Sequence, residues 1–165
     1  LAILGKLGKE GDDAVQDAVT RVLGEWMSPS AGPVLLDLAK TGSPKYRIRA
    51  LRGYIRIARQ LDVPVDERIA MCSQALSAAQ RAEEKRLVLE VLRRYPTAEG
   101  LQLAVGQLSD AELKAEAADS AVQIAEKLPA TDAPVVIRAM DRVIQAGVSA
   151  EITQKAQALR KRAGG

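Results

Sequence analysis

Histidine and phenylalanine are absent from this 165-residue chain, cysteine occurs once, and the remaining aromatics are one tryptophan and three tyrosines. Each shortage excludes something. Without histidine, the chain cannot assemble a Ser-His-Asp triad, a Cys-His dyad or a histidine-ligated metal centre from its own residues. One cysteine, Cys72, forms neither an internal disulfide nor a thiolate zinc site. Four rings are too few for a platform that stacks the bases of a single strand. No apolar run approaches the ~18 residues that a membrane span requires. Catalytic residues, metal ligands and cofactors are therefore all assigned as none, and the segment by itself is expected not to be an enzyme.

What is present is helical material. Apolar residues make up 47% of the chain, an ordinary fraction for a folded domain, and 24 Lys+Arg against 21 Asp+Glu leave a formal charge of +3. The apolar period stays near 3.6 residues throughout, and no convincing alternation marks a strand. Ten helices are expected, in five hairpins: 1–8 with 12–26, 30–41 with 44–60, 66–80 with 83–95, 98–108 with 110–128, and 132–146 with 149–163. Short linkers force neighbours to be antiparallel. Ser43-Pro44 reads as an N-cap followed by proline in the first turn, and Ser109 with Glu112 has capping-box spacing. Thr97, Asp132 and Ser149 are further cap candidates, and Gly42, Pro96, Pro129 and Gly147 fall where helices should stop. The link 61–65 is the longest and the expected place for a bend. One domain, 1–165, is expected.

The second helix of each hairpin aligns on a polar or basic residue, a small or aliphatic residue three later and another seven later: Gln16/Val19/Leu23, Arg47/Ala50/Tyr54, Lys85/Val88/Leu92 and Lys114/Ala117/Ala121. Two-helix units with irregular periods near 30–40 residues mark an α-solenoid, in which each apolar stripe is covered by the neighbouring units. The pattern resembles the HEAT-like repeat family. The stretches Arg49-Ala50-Leu51-Arg52-Gly53-Tyr54-Ile55-Arg56 and Glu84-Lys85-Arg86-Leu87-Val88-Leu89 are similar to HEAT-type segments of exported bacterial proteins, where they adjoin sugar-binding or keto-disaccharide hydrolase domains. The resemblance implies a right-handed, armadillo-type α-solenoid of about five hairpins. It also implies a repeat module that scaffolds or positions a carbohydrate-active domain, in an exported or periplasmic setting. The residues themselves assign no compartment, and no catalytic residue carries over.

The most informative local feature is charge. Residues 44–60 hold Lys45, Arg47, Arg49, Arg52, Arg56 and Arg59 without one acid. On a helical wheel, all but Arg47 fall within about 80° of one another. Like charges at these spacings repel by ~0.2–0.5 kcal/mol per pair. Two accounts stand. In one, acids of adjacent helices such as Asp37, Asp66 and Glu67 neutralise the stripe. In the other, it is an anion-binding ridge for a protein partner, formed by Arg49, Arg52 and Arg56 with Tyr54 as a partly exposed anchor, and continued by Lys85, Arg86 and Arg93. Nucleic acid is the alternative ligand, as in the HEAT-like alkylpurine DNA glycosylases that this fold resembles. The low net charge and the acidic segment 97–129 disfavour it. Trp26 is expected in the core. The carboxylate pairs Asp12-Asp13 and Glu83-Glu84 are expected to sit at helix starts, where they stabilise the helix dipole.

Leu1, Ile3, Leu4 and Leu7 make an apolar first helix with nothing before it. The chain is therefore expected to be a piece of a longer one, with this face packed on upstream repeats or on a dimer mate. Light scattering is expected to show association through it; a strict monomer with an ordered first helix would count against that.

Overall fold

Ala, Leu, Glu, Gln and Arg are strong helix formers, and the chain uses them throughout. The computed structural model describes residues 1–164, and among these there is no strand. Ten helices form: α1 (Ala2–Glu10), α2 (Asp13–Gly24), α3 (Gly32–Thr41), α4 (Pro44–Gln60), α5 (Val65–Ala78), α6 (Ala82–Arg94), α7 (Ala98–Gly106), α8 (Lys114–Lys127), α9 (Ala133–Ala146) and α10 (Ala150–Gly164). Single 3₁₀ turns precede α3 and α9 and follow α7.

The caps follow local chemistry. Asp12 Oδ1 accepts from Val15 N, Thr97 Oγ1 from Gly100 N and Ser149 Oγ from Ile152 N, each answering an orphan N–H of a first turn. Gly147 closes α9 in the left-handed region at φ 60°, where a side chain would be strained. The Ser109/Glu112 capping box does not form. Asp110 Oδ1 accepts from Glu112 N instead, in a turn, and α8 begins at Lys114. Asp132 and Ser43 sit at N-cap positions but make no side-chain cap bond.

The chain divides into two compact units, Leu1–Val88 and Leu89–Gly165, and the division falls inside α6. In the first unit α1 packs on α2 and α3, α2 on α4, α3 on α4 and α5, and α4 on α5. Its core holds Leu23, Leu35, Leu38, Ala50, Ile57, Cys72 and Val88. In the second, α7 packs on α8 and α9, α8 on α9 and α10, and α9 on α10, around Leu92, Leu101, Leu113, Ile124, Met140 and Val143. In each unit the main partners of a helix are its next and next-but-one neighbours. The first hairpin leaves apolar surface outside: Ile3 is 77% exposed, and Leu7 and Val22 are also exposed.

The link after α4 is pinned from below. Arg68 of α5 is buried and donates to the carbonyls of Ala58, Leu61 (3.2 Å) and Val63 (2.9 Å), two of them beyond the end of α4. One guanidinium thus satisfies backbone acceptors that burial would otherwise leave unpaired.

At Gly24 and Gly53, helices α2 and α4 meet backbone to backbone. A Cβ at Gly53 would lie 2.9 Å from Gly24 Cα and 3.2 Å from Leu35 Cδ2, whereas one at Gly106 would meet nothing within 4 Å. Alanine gains ~1 kcal/mol over glycine in a helix interior, but overpacking against backbone costs ~1–3 kcal/mol. Gly53→Ala is expected to lower the thermal midpoint and Gly106→Ala to raise it slightly, as read by circular dichroism melts.

A candidate anion-binding groove on α4

Helix α4 begins at Pro44, whose fixed φ suits a first turn, and it runs unbroken because no further proline interrupts it. Its basic stripe meets two neighbours at one constant sequence offset. Lys45 Nζ donates to Asp13 Oδ2 at 2.7 Å. Arg49 Nη1 donates to Asp17 Oδ1 at 2.7 Å, to Asp17 O at 3.2 Å and to Thr20 Oγ1 at 3.1 Å. Arg56 Nε donates to Gly24 O at 2.8 Å, and its Nη2 to Trp26 O at 2.5 Å. Lys45–Asp13, Arg49–Asp17 and Arg56–Gly24 are each 32 residues apart, so α2 and α4 run parallel and in register. On the other flank Arg52 Nε donates to Glu84 Oε1 of α6 at 2.9 Å, again 32 residues away.

Tyr46 completes the α2 contact. Its hydroxyl donates to Asp13 Oδ1 at 2.9 Å, while Lys45 and Arg49 lie over its ring at 5.1 and 5.4 Å. Hydrogen bonds from Lys45, then Tyr46, hold the Asp13 carboxyl below its usual range. Hydrogen bonds from Arg49, then Arg21, bring Asp17 down to about 2. The Asp13 carboxylate in turn pushes Lys45 up. Glu84 is 1% exposed and is held by Arg52 and by Arg81 at 3.3 Å.

Between α2 and α6 the stripe opens into a groove of about 600 Å³. Its walls carry Arg21, Arg49, Arg52, Arg56 and Arg59 with Glu25 and Glu83, and its floor includes Gly53, Ile55 and Leu87. Arg52 uses only Nε, and Arg49 only Nη1, so their other N–H groups remain able to donate. Arg56 meets neutral carbonyls and, at 3.9 Å, Met27 Sδ, with no carboxylate partner among the described residues.

Several expectations are corrected. Tyr54 is not an exposed anchor: it is 3% exposed, and its hydroxyl donates to Gln74 Oε1 at 2.5 Å on the α5 side. Two residues past Arg52 is ~200° round the helix, which turns Tyr54 into the core; burial pushes its hydroxyl up to about 12. Lys85 is half-buried and outside the groove walls. Arg93 belongs to the second unit, 3.7 Å from Asp119. The acids that meet the stripe are Asp13, Asp17 and Glu84, whereas Asp37 pairs with Lys9 at 2.5 Å, and Asp66 and Glu67 are exposed on α5. Trp26 is half-buried beyond the end of α2 and contributes its carbonyl. Glu84 lies in the first turn of α6, as expected, and is in addition a buried ion-pair member. A comparison of positions 32 apart would have paired Lys45 with Asp13, Arg49 with Asp17 and Arg52 with Glu84 from the sequence.

The groove is lined mainly by cationic side chains. Its guanidiniums are fixed forks, and Asp17 and Glu83 are held in the ionised form, Glu83 by its own backbone N–H and then Arg81. The one thiol, Cys72, is buried and pushed up to about 12, too high to be a thiolate near neutrality. Among the described residues no three Cys, Asp or Glu side chains gather in a way that could hold a metal ion.

Asp17 has a folded value below its unfolded one near 3.8, so the stability it contributes is complete above 3.8 and is lost as pH falls toward about 2. Asp13 is shifted the same way. Asp17→Asn is expected to lower the urea midpoint near neutrality and to flatten the fall in stability across that acid window. No family model matches the chain, and no curated protein or solved structure matches it either.

Proposed function

We propose that the chain is a non-catalytic interaction module, a HEAT/armadillo-like right-handed stack of about five helical hairpins. In this reading, α4 receives an acidic segment of a partner protein or of an adjoining domain of the same polypeptide. The parallel α2–α4 pair with its fixed 32-residue offset supports a repeat architecture. So does the packing of each helix on its next and next-but-one neighbours within each unit.

The observation that carries the functional reading is the guanidinium row Arg49, Arg52, Arg56 and Arg59 along one groove. Arginine is the residue suited to planar, bidentate capture of carboxylates, and a row fixed on a helix loses little entropy on binding. The lining of the groove presents no paired acid and base set for proton transfer. The exposed apolar face of α1 and α2 is read as a second contact surface, for a further hairpin or a second copy.

The test is a fluorescence anisotropy titration with labelled poly-L-glutamate and, separately, a generic DNA duplex, at low and rising salt. Poly-L-glutamate is expected to bind and to weaken with salt. Arg52→Gln, whose amide can still donate to Glu84, is expected to cost about tenfold in affinity. A duplex bound more tightly, with a steep salt slope, would replace this reading with nucleic-acid binding. No binding of either probe at low salt would remove it.

A further inference from the structure

We infer that the partner of the α4 groove is an α-helix bearing Asp or Glu in a single stripe, one residue per turn. This rests on the reading that the groove takes an acidic protein segment. The spacing of the donors selects the conformation of the ligand. Arg49, Arg52, Arg56 and Arg59 line the groove over eleven residues of helix, ten rises from first to last. At ~1.5 Å per residue they cover ~15 Å in three steps of ~5 Å, close to the ~5.4 Å pitch of a facing helix. An extended strand repeats a face every ~6.7 Å and would be out of step by ~5 Å after three such intervals.

The molecule already uses this mode. Asp13 and Asp17, one turn apart on α2, meet Lys45 and Arg49, one turn apart on α4, both at 2.7 Å. Equal rise per residue keeps two parallel helices in register. The acids of α2 stop there: opposite Arg56 the end of α2 and the link after it offer the Gly24 and Trp26 carbonyls and the Met27 sulfur. The donors left over on Arg49, Arg52 and Arg56 point to carboxylates supplied from outside at the same pitch. The rim explains why the stripe is single. Glu25 and Glu83 line the groove and repel an evenly acidic polymer, while Leu87 and Gly53 accept an apolar flank. A helix with acids on one face alone avoids the first and uses the second.

Three labelled probes separate the possibilities: an alanine-rich peptide with glutamates on one helical face, a peptide of the same composition with its glutamates spread round the helix, and poly-L-glutamate, a coil near neutrality. Anisotropy is expected to give the striped peptide about tenfold higher affinity than the other two, and circular dichroism to show it gaining helix on binding. Glu25→Gln, at an exposed position, is expected to tighten the striped peptide about two- to fivefold, an effect that loss of folding cannot mimic. Equal affinity for the striped and spread peptides, or for poly-L-glutamate, overturns the helical partner and leaves the acidic-segment reading standing. Failure of all three to bind at low salt, or displacement of the striped peptide by duplex DNA, overturns both.

Discussion

The parallel contact between α2 and α4 is the constraint on which the first unit depends. A helix with five bases on one side and no acid of its own is unfavourable alone, because every turn adds another like-charge pair. It becomes acceptable when another helix of equal pitch lies beside it in register. Asp13 and Asp17 then face Lys45 and Arg49, and the carbonyl end of α2, the negative pole of its dipole, faces Arg56. Sliding α2 by one turn would break all three contacts together. Charge therefore sets the register, while the apolar faces of Leu23, Leu35 and Ile57 supply most of the cohesion.

The same arrangement explains why the stripe is both neutralised and available. Arg49 and Arg52 give Nη1 and Nε to neighbouring helices and keep further N–H groups at the groove. Internal partners orient the forks without exhausting them. A lysine, with one rotating ammonium, could not divide its donors between two directions so rigidly.

The helices and several caps were legible in the sequence because they depend on residues close together: the 3.6 period, Thr97, Ser149 and Gly147. The start of α8 was not, because Asp110 offers the backbone a competing turn that spacing alone does not rank below a capping box. The basic stripe was legible from the wheel. Its partners were missed because acids were sought on the elements nearest in sequence, Asp37 and Asp66 among them, whereas the parallel helix α2 supplies its acids from 32 residues away. Tyr54 was misplaced for a simpler reason: adjacency in sequence to Arg52 and Arg56 is not adjacency on a helix surface. Burial of Glu84 depends on two arginines from different segments, Arg52 and Arg81, and no local pattern announces it.

Arg68 has an effect beyond the link it holds. By tying Ala58, Leu61 and Val63 to α5 from beneath, it clamps the far end of the helix that carries the charge row. Fraying of that last turn would require giving up several bonds of a desolvated cation at once. The row thus behaves as a stiff ruler whose graduations are set before any visitor arrives. On the proposed reading, a visitor with matching marks would not spend its binding energy on ordering the receiving side, and one with other marks would find little that bends to suit it.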